Sequence, residues 1–572
     1  MGSITVGVKH KGKKYDVELE PSSTGEDFKL QLFSLTGVEP ERQKVLIKGG
    51  QLKDDAVISE LGLKNGQQLM MLGTASEDGT FQRPTEKIKF VEDMTEAEAA
   101  QQVGATPAGL VNLGNTCYLN STLQVIKSIP ELQENLVNYK APATTGSLGL
   151  MPSSGVDLTN QLRNLYRSMG ETQSGYSPLS FLNALRVAFP QFAERSKSGA
   201  GYAQQDAEEA WSQIIAQLRQ KVTTKEGGDN SKDVAFVDKY MAGEFSSTLE
   251  CDEPQAKELG EEATTAKEPF LKLNCHIDSS TNHLRDGIMN GLTEKIEKRS
   301  ALLDRDAVYT KKSLISHLPK YLTVHFVRFF WRRDVQKKAK IMRKVTFPQE
   351  LDAVEFCTPE LKKALIPVRD KVREIRKDEE DIERARKKRK RNHTVQDADI
   401  AGSFGASDAD KRRKQEQEKK DGKKPATSTS DGDVQMGDAG ETYKTDAEFE
   451  AEKEASLLAA KKELHALIDP ELLKDDGANQ SGLYELRGVV THQGASADSG
   501  HYTAYVKKTA PVDPKTGKKG EEDGNWWWFN DDKVSEVTPD KIDTLAGGGE
   551  SHSALILLYK AIPLPSAEGI TE

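Results

Sequence analysis

Alternating and helical periodicities divide the chain before any single residue is considered. Ile4, Val6 and Val8 alternate, as do Tyr15, Val17 and Leu19 after a Gly-Lys-Lys turn, which predicts a hairpin. Phe28, Leu32 and Leu35 share one side of a helix that Gly37 ends, and Val45-Leu46-Ile47, a Gly49-Gly50 turn and Leu69 to Leu72 supply short strands. Residues 1 to about 75 thus read as a small α/β unit. Leu69-Met70-Met71-Leu72 is apolar on both faces of a strand with one core to serve, so one pair should face water and form an interaction surface.

Residues 76–104 are charged and Ala-rich and read as a linker with a short helix, with FVEDM at 90–94 apolar enough to dock. Leu119, Leu123 and Ile126 recur at helical spacing, with Pro130 as the expected stop. A polar loop near 141–156 leads to helical segments around 157–168, 178–189 and 203–220. Strand-like runs come next at 271–277 (LKLNCHI) and 321–331 (YLTVHFVRFFW). The sheet resumes at 483 (LYELRGVVTHQ), continues through HYTAYVKK and WWWFNDD, and ends on ALILLY at 554–559. Between them, 358–478 is rich in Lys, Glu, Asp, Arg and Ala and holds the low-complexity stretches PATSTSDG and DGDVQMGDAG. It reads as an insertion, part long helix and part disordered.

A chain of 572 residues needs more than one core. Lys plus Arg is 80 against 90 Asp plus Glu, a net charge of -10 that makes no global case for nucleic-acid binding. The basic run RARKKRKR at 384–391 reads as a nuclear-import signal, a nucleic-acid contact, or, given DEEDIE just before it, a self-paired solvated helix. No apolar run reaches the roughly eighteen residues of a membrane helix, and the alternating start is not a signal peptide, so a soluble intracellular protein is expected. The four cysteines at 117, 251, 275 and 357 form no CxxC pair and no disulfide framework, which suits a reducing compartment and predicts no metal site.

Chemistry concentrates in GLVNLGNTCYLNST at 109–122. Turn formers precede Cys117 and helical periodicity comes after it, which puts the thiol in a helix's first turn, where the dipole and free N–H groups favour thiolate; the glycine-bearing approach predicts access. A cysteine nucleophile needs a base and a group to orient it. His501, after the loop Gly494 to Gly500 and opening a strand, is the candidate base, and Asn530, ending an aromatic strand, the candidate orienter. Asp206 and Glu209, three apart, should share a helix face suited to a basic peptide, unless they are ordinary surface acids.

GLVNLGNTCYLN, YAQQDAEE, GHYTAYV and WWWFNDDKVS stand in the order and setting of the ubiquitin-specific proteases, and through these four motifs the chain resembles that papain-like deubiquitinating family over nearly all its length except the insertion. The first 75 residues resemble ubiquitin, with KVLIKGGQLKDD similar to its central strand and turn. Because the chain runs on into Thr74, Ala75 and Ser76, this is a built-in module and not a conjugable tag. Joined through FVEDMTEAE, the two parts resemble the proteasome-associated type of the family.

The resemblance implies an α+β fold: a β-grasp ubiquitin-like domain at 1–75, a linker at 76–104, a papain-like catalytic domain at 105–562 interrupted at 358–478, and a tail at 563–572. It implies hydrolysis of the isopeptide bond after ubiquitin's terminal glycine, with Cys117 as nucleophile, His501 as base and then acid, Asn530 as third member with Asp531 as substitute or support, and Asn112 as oxyanion donor. Asp206, Glu209, Gln205 and Gly500 would hold the ubiquitin tail, and Leu46, Met70 and Leu72 fall at ubiquitin's exposed patch, here implied to dock on the proteasome. The segments Arg332 to Lys340 and Gly494 to Gly500 would overhang the tail channel, with glycine hinges on the second, and hold the free enzyme partly closed until docking. Expected partners are ubiquitin, ubiquitinated proteins and the 26S proteasome regulatory particle, in cytoplasm and nucleus, with no cofactor, membrane or nucleic acid. Two departures stand out. Many relatives have Asp where Asn530 stands, which favours an orienting role over a charged one, and the zinc-ribbon cysteine pairs of many relatives are absent. The rival from another class is a non-catalytic scaffold that binds ubiquitin or the proteasome.

Overall fold

Strand β1 (Ile4–His10) pairs antiparallel with β2 (Lys13–Leu19), and after helix α1 (Gly25–Thr36) come β3 (Lys44–Ile47), β4 (Gly50–Gln51) and β5 (Gln68–Leu72), in sheet order β2-β1-β5-β3-β4. A capping box between Thr24 and Asp27 starts α1, and Gly37, at φ 70, ends it. Val6, Val8, Val17, Leu19, Phe28 and Leu32 form the core with Leu69 and Met71 from β5. The other face of that strand stays in water: Met70 and Leu72 are each 51% exposed, and Leu46, opposite Met70, is 42% exposed. The apolar excess read in LMML is thus a surface patch.

The computed structural model describes residues 4–566 apart from 49, 74–93, 101–103, 142–156, 197–200, 227–231, 301, 333–336, 404–445, 498, 511–519 and 521, and the chain divides into two compact units, Met1–Met94 and Thr95–Glu572. The polar loop near 141–156, both low-complexity stretches and most of the linker lie outside the described residues.

The second unit begins with a helical lobe: α2 (Glu96–Ala100), α3 (Cys117–Lys127), α4 (Pro130–Asn138), α5 (Leu158–Met169), α6 (Leu179–Ala188), α7 (Ala207–Lys221), the small hairpin β6 (Thr223–Glu226) and β7 (Lys232–Ala235), and α8 (Phe236–Tyr240). Pro130 does not merely stop α3, which ends at Lys127. It opens α4 at the first helical position, where its missing N–H has no partner to lose. α3 is buried from Cys117 to Ile126 and forms the middle of this lobe.

A four-stranded antiparallel sheet, β11-β12-β8-β9, is built from β8 (Gly243–Cys251), β9 (Thr264–Phe270), β11 (Thr293–Ser300) and β12 (Arg305–His317), with α9 (Pro254–Glu258), β10 (Leu273–His276) and α10 (Leu284–Gly291) between them in the chain. Its end is packed by Cys251, Ala256, Ala307 and Tyr309, and the Tyr309 hydroxyl donates to Glu261 at 2.5 Å. An apolar cluster with one anchored phenol stands there.

The main sheet runs β10-β13-β21-β17-β18-β19-β20, built from β13 (Tyr321–Val327), β17 (Leu483–Ser496), β18 (Ser499–Lys507), β19 (Trp526–Asn530), β20 (Lys533–Val537) and β21 (Ser553–Ala561), with β14 (Phe329–Arg332), β15 (Lys337–Lys340) and β16 (Glu350–Asp352) off its path. The unbroken ALILLY run has its cause here. Ile556 and Leu558 of β21 pack toward the helical lobe, while Leu557 and Tyr559 fill a second core on the opposite face, so the strand has no wet side. The run read as one strand at 321–331 breaks at Arg328. That guanidinium is 1% exposed and donates to the carbonyls of Ala554 at 2.9 Å, Arg343 at 2.8 Å, Ala546 at 3.1 Å and Ile341 at 3.3 Å, tying the base of the β14–β15 hairpin to β21.

Within the insertion, α11 (Pro359–Ser403) and α12 (Asp446–Leu467) pack side by side. Val368, Val372 and Ile375 meet Leu457 and Leu464, flanked by Lys371–Glu463 at 2.7 Å and Lys461–Glu379 at 2.8 Å. Leu365 belongs to the core on the far face of the main sheet, so the root of the arm is part of the domain. Arg384, Arg386 and Lys387 of the basic run pair with Glu380, Glu454 and Glu383, which favours the self-paired helix over a nucleic-acid contact for that part.

Candidate active site

The turn that delivers the nucleophile is wound around one amide. Asn112 Oδ1 accepts from the N–H groups of Gly114 at 2.9 Å and Thr116 at 3.3 Å, and the Leu113 N–H donates to Thr116 Oγ1 at 2.9 Å. Its Nδ2 donates to Asp531 Oδ2 at 2.9 Å. Asn120, one turn after Cys117 and buried, donates to the other carboxylate oxygen at 2.8 Å. Asp531 lies in the two-residue turn that the Asn530–Lys533 pair closes, at φ 53, a conformation that Asp tolerates better than most residues. Its carbonyl accepts the Leu110 N–H at 2.9 Å. Gly109 lets the two segments meet, since a Cβ there would stand 2.4 Å from the Asp532 carbonyl oxygen.

His501 is the third residue of β18, opposite Gln493, and its Nε2–H donates to Asn530 Oδ1 at 2.6 Å. That bond fixes the tautomer and leaves Nδ1 for another partner. α3 packs on β18, and the backbone amide of Tyr502, the next residue, reaches the Cys117 sulfur. The structure therefore separates the two neighbours that the sequence left as alternatives: Asn530 meets the imidazole and Asp531 meets Asn112.

Cys117 departs from the expectation of an accessible thiolate. It opens α3 as read, but it is 2% exposed. Burial pushes its thiol up to about 11, with the Asp531 carboxylate adding to the shift and the Tyr502 amide opposing it. Removal of water from the sulfur outweighs the helix dipole, which contributes only within a helix's first turn.

Asp206 and Glu209 stand together at the start of α7, close enough for the Glu209 charge to add to the rise that burial gives the Asp206 carboxyl, but Asp206 lies just outside the helix proper. Asp206 is the N-cap of α7, accepting the Glu208 N–H at 3.0 Å, and Glu209 sits in the first turn, half-buried, with Gln205 half-buried just before the cap. Burial raises the Asp206 carboxyl, and Lys338 of β15 stands 3.9 Å from it. Sequence reasoning missed Glu208, which accepts from Ser212 Oγ at 2.7 Å and pairs with Lys272. It also missed Asn120, although that residue stands within the same motif as Cys117, and Lys338.

Gly494 to Gly500 is a tight hairpin rather than a free loop, since β17 runs to Ser496 and β18 starts at Ser499. Gly500, at φ 125, is required by close packing: a Cβ there would lie 2.0 Å from the Gln493 carbonyl oxygen. Ser496 Oγ donates to the Lys338 carbonyl at 2.8 Å, so the two segments expected to overhang the channel are joined. Among the described residues, no group of three or more His, Cys, Asp or Glu could hold a metal ion.

A thiol at the start of a buried helix, packed on a strand that carries an amide-bonded imidazole, is the arrangement of a papain-like thiol hydrolase. Comparison with known proteins narrows that class. Residues 108–559 match the family described as ubiquitin carboxyl-terminal hydrolase, and residues 4–76 match the ubiquitin family. The chain is 43% identical to ubiquitin carboxyl-terminal hydrolase 6 of Schizosaccharomyces pombe over 558 residues, 98% of this chain and 99% of that one. Identity is 37% to ubiquitin carboxyl-terminal hydrolase 6 of Arabidopsis thaliana, over 97% of this chain and 98% of that one. It is 29% to ubiquitin carboxyl-terminal hydrolase 14 of Caenorhabditis elegans, over 97% and 93%. The chain belongs to the ubiquitin carboxyl-terminal hydrolase family: it is a ubiquitin-specific cysteine protease with an N-terminal ubiquitin-like domain.

A thiol raised to about 11 exposes little thiolate near neutrality. Iodoacetamide alkylation of Cys117 in the free enzyme, followed by peptide mass mapping, should accelerate about tenfold per pH unit from pH 7 to 9. A plateau near pH 8 would show that the thiol is not displaced upward.

Proposed function

We propose that Cys117 attacks the isopeptide carbonyl of ubiquitin's last glycine. The thiol proton passes to His501 Nδ1, the S–C bond forms, and the Asn112 amide with nearby backbone N–H groups stabilises the oxyanion. His501 then protonates the departing lysine amine as the C–N bond breaks, and water activated by the same imidazole hydrolyses the thioester. Asn530 orients the base, while Asp531 and Asn120 hold the donor. Support for this assignment comes from the pair of anchored amides, Asn530 on His501 at 2.6 Å and Asn112 on Asp531 at 2.9 Å, both tied to the one turn that meets the segment before Cys117.

In the same proposal Asp206, Glu209, Gln205 and Gly500 line the path of the basic, glycine-ended tail, and the enzyme docks on the regulatory particle of the 26S proteasome through Leu46, Met70 and Leu72, trimming or recycling ubiquitin there. Support for docking is the exposed apolar patch, whose neighbouring residues on β3 and β5 are 42% to 51% exposed. Work in cytoplasm and nucleus goes with that partner; four unpaired thiols suit a reducing compartment.

Two features of the site do not favour turnover: burial raises the Cys117 thiol, and Lys338 stands where a basic tail would pair with Asp206. We read this as a closed resting enzyme, held by the joined hairpins and opened by docking.

Three measurements test the assignment. Cys117→Ala should abolish hydrolysis of a ubiquitin–fluorophore conjugate while ubiquitin affinity stays within about threefold, since the change removes a nucleophile and not a contact surface; residual turnover would move the nucleophile elsewhere. Adding proteasome should raise the wild-type rate, and a Leu46/Met70/Leu72 triple alanine variant should lose that gain. Lys338→Ala should raise the rate of the free enzyme severalfold, on the order of one partly screened ion pair. Equal rates with and without proteasome would remove the gating idea.

A further inference from the structure

The loop that carries Asn112 and Cys117 makes one contact that the mechanism above leaves unused. Asn115, two residues before the nucleophile, lies in the left-handed region at φ 55. Asn tolerates that region better than most residues, and here a side-chain contact holds it as well. Here the fixing group is identifiable: Asn115 Nδ2 donates to the backbone carbonyl oxygen of Tyr202 at 3.0 Å. Tyr202 is in turn held by its ring. The Arg186 guanidinium of α6 stands 3.6 Å from the ring centroid and that of Arg195 4.7 Å, a double cation–π contact that neighbouring chain reinforces. Arg195 and Tyr202 form an isolated backbone bridge, the Ala203 N–H donates to the Glu194 carbonyl at 2.9 Å, and Arg186 Nε donates to the Phe192 carbonyl at 3.3 Å.

The residues just beyond Tyr202 give this anchor its meaning. Four positions on, Asp206 caps α7 and faces Lys338, and the next carbonyl, that of Ala207, accepts from Thr122 of α3 at 3.4 Å. The segment 202–207 therefore touches the turn in front of Cys117 through Asn115, the helix behind it through Thr122, and the acid end of the tail path. Asp206 is thus linked through short stretches of backbone to contacts on both flanks of the nucleophile.

We propose that Asn115 and Tyr202 are positioning residues that couple seating of the ubiquitin tail at Asp206 to the placement of Cys117. This rests on the mechanism proposed above. The physical reason is the steep distance dependence of attack: a nucleophile misplaced by about 1 Å loses on the order of a hundredfold in rate. A side-chain bond to a braced carbonyl is the means of holding it.

Asn115→Gly keeps the left-handed backbone available and removes only the bond to Tyr202. Tyr202→Ala keeps the carbonyl and removes the ring that the arginines hold. On a ubiquitin–fluorophore conjugate, each should lower kcat about tenfold or more while KM stays within about twofold, because the interaction is used in the transition state and not in binding. Tyr202→Phe should restore the rate lost in Tyr202→Ala, and the double variant should be no slower than the worse single one. Iodoacetamide alkylation of Cys117, which needs no tail, should be equal in all of them. An unchanged kcat in Asn115→Gly would overturn the proposal, as would a kcat loss matched by an equal loss of alkylation or by a lowered folded fraction on melting. Those results would leave the mechanism standing; failure of the wild-type Cys117 to form an adduct with an electrophilic ubiquitin probe in the presence of proteasome would remove mechanism and tether together.

Discussion

Two adjacent residues in one turn join the halves of the site. Asn530 reaches forward to the imidazole of His501, and Asp531 reaches back to the amides of Asn112 and Asn120, while its carbonyl takes the N–H of Leu110. The first contact is made within the sheet and the second with the helical lobe, so the turn between β19 and β20 is where the two are held in register. Such a joint tolerates little change. Asp531 holds a positive φ, and Gly109 leaves no space for a methyl group against Asp532. A carboxylate that accepts two side-chain amides is a stronger anchor than a neutral acceptor would be, since charge-assisted hydrogen bonds are roughly twice as strong as neutral ones.

The rest of the fold can be understood as support for that joint. β21 lies between two cores and holds the sheet against α3, and Arg328, with four carbonyls and no wet face, fixes the hairpin that carries Lys338. A buried guanidinium that donates only to carbonyls is costly to desolvate, and its burial lowers it to about 10. It is retained where several backbone segments must converge with no room for a strand. The same desolvation acts on Cys117 with the opposite consequence, keeping the thiol protonated in the free enzyme. Cleavage then requires the sulfur to lose its proton only when substrate and base are both in place, which protects a cysteine from adventitious chemistry.

Much of this was legible in the chain. The alternation in ITVGV and YDVEL, the position of Gly37 and the double-faced LMML strand were enough for the ubiquitin-like domain, because each feature there is local. Cys117, His501 and Asn530 could be picked out because turn formers, a glycine and an aromatic strand flank them. Less legible was everything set by packing between distant segments. The thiol's burial depends on β18, not on its own turn, and whether Asn530 or Asp531 meets the imidazole is decided by the register of β19 against β18. Glu208 rather than Glu209 takes Lys272 because β10 brings that lysine to α7. Gly500 looked like a hinge in the sequence, whereas the structure shows two backbones too close for any Cβ. Pro130 carried the right message about α3 but a second one about α4, which only the cap geometry shows.

The central claim is that the Asp531 carboxylate holds Asn112 ready to stabilise the oxyanion, and the most direct test is kcat for Asp531→Ala on a ubiquitin–fluorophore conjugate, with melting to confirm that the variant is folded. Loss of an oxyanion-hole donor's orientation predicts a fall of about a hundredfold or more. A folded Asp531→Ala enzyme that turns over at the wild-type rate would contradict the account.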